Sequence, residues 1–166
     1  MSLEPESGVA TAVQVNAKAD YAIRALAELA DAAAGTGGPM KADAIAQAQG
    51  IPLKFLENIL LELRHADLVT AQRGASGGYT LARPAAEITL ADAIRAVDGP
   101  LANIRGQRPD QLQYTGPATM LREVWIAVRA NLRAVLEVVT IEDLRSGHLP
   151  PVVAETVSHP DVWTRR

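Results

Sequence analysis

Apolar residues recur at helical rather than strand-like steps along most of this chain. Between residues 16 and 33 they fall at Ala22, Leu26, Leu29, Ala30 and Ala33, one stripe of a helix. Asn16 stands where an N-cap is needed. A glycine-rich break at 35–39 precedes a second helix, 41–49, with Ile45 and the alanines facing inward and Gly50 as C-cap. Lysine at position 41 cannot accept the free N–H groups of that helix start. Pro52 suits the first turn of a third helix. Its apolar face is Phe55, Leu56, Ile59, Leu60 and Leu63, and its polar face is Lys54, Glu57, Asn58, Glu62 and Arg64. Then the period changes. Residues 69–72 and 79–81 suit short strands, joined by Arg73-Gly74-Ala75-Ser76-Gly77-Gly78. Gly74, Gly77 and Gly78 allow tight turns and close backbone approach.

The second half is helical again. Thr89 caps a helix over 90–97, and Asp98-Gly99-Pro100 stops it. Residues 102–117 are polar, rich in glycine and proline, and read as a loop. The longest helix is expected over 118–139. Leu121, Trp125, Val128, Leu132, Val135 and Val139 alternate there at four- and three-residue steps, the seam of a coiled coil. Thr140 caps a short helix over 141–146. Residues 152–166 have no strong period, and 1–14 read as a disordered leader.

This order predicts a mostly α chain with a small β-wing: a winged helix-turn-helix domain over 15–100, an interdomain loop over 101–117, a long C-terminal dimerisation helix with its short successor over 118–150, and a tail over 151–166. A helix-turn-helix carries its chemistry on the second helix of the pair. Lys54 and Asn58 are donors for base edges or phosphate, and Glu57 is an acceptor for a cytosine amine. Phe55 either seats the helix or touches a thymine methyl. Arg73, at the base of the wing, suits a minor groove or a phosphate, with Gly74, Gly77, Gly78 and Tyr79 shaping the hairpin. Lys18 and Tyr21, near the start of the first helix, are placed to touch phosphate, and Tyr21 equally suits a core position with its hydroxyl at the rim. A seam of this length favours pairing with a second copy, which makes the expected partner a double-stranded, palindromic operator.

Composition changes the picture in three ways. Net charge is −3, and residues 16–83 balance seven cations against seven anions, so affinity for DNA must come from charge placement rather than total charge. This neutrality also leaves open a second class, a winged protein-interaction module that does not bind DNA. There is no cysteine, which excludes disulfides and any cysteine-ligated cluster or zinc. His65, His148 and His159 are too scattered for a usual ligand set. No apolar run is long enough for a membrane and no signal sequence opens the chain, so a cytoplasmic protein is expected. No nucleophile elbow, HExxH or clustered triad points to an enzyme. Gly77-Gly78 lacks the following GK[ST] of a nucleotide loop.

The segments YAIRALAELA, IAQAQGIPLKFLENILLELRHADLV and RGASGGYTLARPAAEITLADAIRAVDGPL, in this order, resemble the Rrf-two family of bacterial winged-helix transcription regulators. The likeness runs from about residue 15 to 101, and more loosely to 150. It implies a homodimeric DNA-binding regulator, most commonly a repressor, with backbone contacts from the start of the first helix. Cluster-binding members carry three cysteines in the loop matching 102–117; this chain has none, so the resemblance implies no iron–sulfur cofactor here. Cysteine-free members suggest instead that Arg105, Arg108, Asp110, Gln113 and Tyr114 receive a small anionic effector or a protein, beside the plainer reading of a solvated loop. The family usually has Ser or Thr at position 41.

Overall fold

A computed structural model describes residues 15–165; the leader expected over 1–14 lies outside them. Helix α1 spans Ala17–Ala34, with the Asn16 side chain accepting from the Ala19 N–H at 2.9 Å. It buries Ala19, Ala22, Ala25, Leu26, Leu29 and Ala30, whereas Ala33, expected on that stripe, is exposed. Helix α2 (Ala42–Gln49) begins at Lys41 with no side-chain cap and ends at Gly50 in the left-handed conformation, φ 63°. Helix α3 (Leu53–His65) follows, with Pro52 at the N-cap rather than inside the first turn. Strands β1 (Val69–Gln72) and β2 (Gly78–Leu81) pair antiparallel, Val69 opposite Leu81 and Gln72 opposite Gly78. Helices α4 (Leu90–Asp98), α5 (Leu121–Leu136), α6 (Ile141–Ser146) and α7 (Pro151–Ser158) complete the chain.

One core holds the reading elements. Leu26, Ile45, Leu56, Ile59, Leu60, Leu63, Leu68, Ile88 and Ile141 are all at most 1% exposed. Burying a side chain of this kind stabilises by about 1.5–3 kcal/mol relative to leaving it in water. The cluster joins α1 to α2, α3, α4 and α6. The short helix α6 therefore belongs with the winged core rather than with the long helix that precedes it.

The long helix is shorter than the period suggests. A 3-10 turn at Gly116–Ala118 occupies its expected start, and regular helix ends at Leu136. Val139, expected on the dimer seam, is corrected: it is 2% exposed and lies in the chain's own interior. Its carbonyl accepts from the Leu90 N–H at 2.9 Å, while the Ile141 N–H donates to the Ile88 carbonyl, also at 2.9 Å. These two bonds stitch the start of α6 to the start of α4. Both starts carry reciprocal caps, Thr89 with Asp92 and Thr140 with Asp143. The tail is ordered into α7 and a 3-10 turn at Pro160–Trp163, where a weak period gave no sign of a helix. No helix among the described residues is long and apolar enough to cross a membrane.

Candidate nucleic-acid interface

Helix α3 turns Leu56, Ile59, Leu60 and Leu63 inward. That leaves Lys54, Glu57 and Asn58 exposed on its outer face, in line with Leu61, which is 49% exposed. Leu61 sits among polar neighbours on the helical wheel, a signal visible in the sequence that the count of apolar spacings passed over. Phe55, grouped there with the apolar face, is 49% exposed. It stands at the edge of the stripe, where its ring meets Tyr21 edge-on at 6.0 Å between centroids.

Two contacts fix how α3 sits on α1, and a third fixes α1 on the end of α2. The first is that aromatic pair. The second is Lys18 Nζ to Glu62 Oε1 at 2.7 Å, so the lysine expected to reach phosphate is engaged with the recognition helix itself. Both groups are about one-third exposed, and such a pair contributes about 0–1 kcal/mol. The third centres on Arg24. Its guanidinium lies 5.3 Å over the Tyr21 ring, bonds Asp20 at 3.1 Å and Gln49 Oε1 at 3.0 Å, and caps the Gln49 carbonyl at the end of α2. Arg24 thereby ties α1 to the turn that aims α3. Nothing in its local spacing singles it out, because Gln49 is distant in sequence.

The wing is fastened by backbone. Met40 N–H donates to the Tyr79 carbonyl at 2.9 Å, and Tyr79 N–H donates to the Met40 carbonyl at 2.7 Å. Thr70 and Thr80 hydroxyls meet at 2.8 Å across the strands. Gly77 and Gly78 are required by this packing: a Cβ at Gly77 would lie 2.3 Å from the Gln72 carbonyl oxygen, and one at Gly78 2.5 Å from that of Met40. Gly74 has φ 105° and nothing crowding it, so conformation alone holds glycine there. Arg73 leaves the end of β1 and is exposed. Lys54, Glu57, Asn58 and Arg73 are thus each exposed on the α3–wing unit, while Tyr79 is half-buried against the core.

The expected effector loop is a folded structure. Pro109 and Leu112 are buried in it. Arg108 binds the Asp110 carboxylate through Nε at 3.0 Å and Nη2 at 3.1 Å. Arg129 approaches the same carboxylate at 3.7 Å, and Arg122 donates to the Asp110 carbonyl at 3.3 Å. Burial works to raise the pKa of Asp110, but hydrogen bonds from its backbone and Arg108, with the charges of Arg108 and Arg129, outweigh it and hold the carboxyl below its ordinary value. Arg105 lies 5.9 Å over the Tyr114 ring, and Tyr114 Oη accepts from Trp125 Nε1 at 3.0 Å. Arg105 and Ala102 both hold positive φ, 51° and 52°, a strained backbone for residues with a Cβ. Gln113 is exposed.

The donor set does not fit a cluster or metal. The loop has no thiolate to offer, and no group of three or more His, Cys, Asp or Glu capable of holding a metal occurs among the described residues.

The expected seam residues Leu121, Trp125, Val128, Leu132 and Val135 are all half-buried within the chain. Helix α5 packs on α4 and on the 3-10 turn Pro109–Gln111 of the loop.

Comparison with known proteins agrees with this geometry. The profile of the Rrf2 family, described as iron-dependent transcriptional regulator, matches residues 15–147. A protein named as an HTH-type transcriptional regulator in Mycobacterium tuberculosis is 50% identical over 143 residues, 86% of this chain and 88% of that one. CymR, the global cysteine regulator of Bacillus subtilis, superposes with a TM-score of 0.68 at 34% identity, over 81% of this chain and 98% of its own. IscR of T. potens gives 0.63 at 27% identity, over 92% and 93%.

Proposed function

This chain belongs to the Rrf2 family of DNA-binding transcriptional regulators, and we propose that it acts as a homodimeric repressor that reads a palindromic operator without a cysteine-ligated cluster. The observation that carries this reading is the shared exposure of Lys54, Glu57, Asn58 and Arg73, on a helix and wing that Arg24 and the Met40–Tyr79 bridge hold in fixed relation. Helix α3 enters the major groove, where Lys54 and Asn58 donate and Glu57 accepts. Arg73 reaches the neighbouring minor groove or its phosphates. Phe55 sits where a thymine methyl would pass, and Tyr21 braces it. A neutral reading domain relies on these few contacts rather than on bulk charge.

The loop over 101–117 is the place for an effector in this reading. Arg105, exposed and held in a strained conformation above Tyr114, favours a small anion or an acidic protein surface. DNA as the target places the protein in the cytoplasm.

Fluorescence anisotropy on promoter duplexes from the parent chromosome tests the proposal. Arg73→Ala should lose roughly 1–3 kcal/mol of specific affinity, the range for one good base or groove contact. Binding that ignores both the substitution and the salt concentration would remove this surface from DNA recognition.

A further inference from the structure

The apolar stripe of α1 outruns the core. Leu29 and Ala30 are buried, but Ala33, three residues on, is exposed. It lines a cleft of about 560 Å³ between the last turn of α1, the end of β2 and the start of α6. That volume lies within the roughly 300–1,000 Å³ of small-molecule sites. Leu29, Ala30, Ala33, Leu81 and Pro84 give the cleft apolar walls, and two residues of opposite charge line it, Arg83 and Glu142. They form no ion pair with each other, and Arg83 forms none with any described residue.

Glu142 is held in place. Arg145 donates to its Oε2 at 2.9 Å and to its Oε1 at 2.5 Å. Hydrogen bonding from Arg145 outweighs burial and keeps the carboxyl below its ordinary value, so it is charged at neutral pH. Each carboxylate oxygen has two lone pairs and gives only one to Arg145. The charge of Asp31 also acts on Arg145, which sets the pair beside the last turn of α1. That turn holds no basic residue and ends in carbonyls of partial negative charge. With two acids against one arginine, this end of the cleft favours a cation. Arg83, exposed just after β2, offers a planar fork that suits a carboxylate.

An apolar wall between a seat for a cation and a seat for an anion matches a small zwitterion. We infer that the cleft binds an aliphatic α-amino acid, with its ammonium on Glu142, its carboxylate on Arg83 and its side chain against Ala33. The site is separate from the loop over 101–117, and the inference does not depend on how the chain reads DNA.

Isothermal titration calorimetry of the full chain with L-leucine, L-isoleucine, L-valine and L-methionine tests it. At least one should bind once per chain at millimolar concentration or below. The tightest is then compared with its two analogues that lack the ammonium or the carboxylate, which for leucine are 4-methylpentanoate and 3-methylbutylamine. Each should bind about tenfold more weakly, since each loses a hydrogen-bonded charge. Arg83→Gln should weaken the amino acid by about the same factor and leave the amine analogue unchanged. Ala33→Phe, at an exposed helical position, should fill the cleft and abolish binding without lowering the thermal midpoint. If that variant does not fold, the Arg83→Gln titrations decide. No saturable binding by any of the four amino acids overturns the site. So does binding that survives Ala33→Phe or Arg83→Gln undiminished. An analogue that binds as tightly as its parent overturns the zwitterion assignment.

Discussion

Met40 and Tyr79 exchange both of their backbone hydrogen bonds, at 2.9 and 2.7 Å, so the residue two before α2 acts as a one-residue third strand of the wing. The helix-turn-helix and the hairpin are therefore a single rigid reader. Gly78 lies against this bridge. Gly78→Ala would place a Cβ 2.5 Å from the Met40 carbonyl oxygen, and the bridge must open. The expected result is a loss of about 1–3 kcal/mol in stability, typical of a backbone forced from its preferred geometry, with a fall in operator affinity at temperatures where the protein is still folded. Urea denaturation and anisotropy on the same samples check both parts.

The start of α2 is a weak point that can be repaired. Lys41 has the extended backbone of an N-cap, φ −75° and ψ 150°, but no side-chain acceptor. Lys41→Ser should stabilise the chain by about 1 kcal/mol, seen as a higher urea midpoint at unchanged slope.

Arg24 holds the turn before the recognition helix by a planar fork shared between Gln49 and Asp20, with its flat face on Tyr21. Arg24→Ala should destabilise by about 1.5–3 kcal/mol, the range for hydrogen bonds to a charged group. Arg24→Lys should recover little of it, because an ammonium cannot reproduce the fork or the stacking. Thermal melts of the two variants decide the point. An Arg24→Lys chain as stable as the unsubstituted protein would reduce Arg24 to a simple positive charge.

Glu137 joins α5 to α4. Hydrogen bonds from Arg133 and then Arg95 hold its carboxyl below the ordinary value of 4.5. A carboxylate with a depressed folded-state pKa stabilises above its unfolded pKa, and loses that contribution as pH falls through the folded value. Glu137→Gln should thus lower stability at neutral pH. The gap from wild type should close as the medium is taken below pH 4.5. Urea midpoints across this range measure the gap.

Helix starts were the most legible part of the fold. Asn16, Thr89 and Thr140 each accept from the N–H three residues on, and this is local chemistry that a sequence displays directly. The wing was legible in part for the same reason, since Gly74 and Gly77 answer local needs, whereas Gly78 answers to Met40, distant in sequence. What the sequence hid depends on distant partners. The heptad count carried Val139 onto the seam because a period does not reveal that the chain leaves the helix at Leu136 and drops into the core. Phe55 counted as inward because it sits one step from the stripe's edge, and only the position of Tyr21 shows what it meets.

The stitch between Leu90 and Val139, and between Ile88 and Ile141, closes residues 89–140 into a ring that departs from and returns to one end of α4. Its knot is tied in main-chain atoms, so any residue but proline at the two donor positions, 90 and 141, can tie it. Beyond α4, whose Ala91, Ala93, Ile94 and Val97 belong to the core of the reader, side chains inside the ring can change without untying the point where it closes.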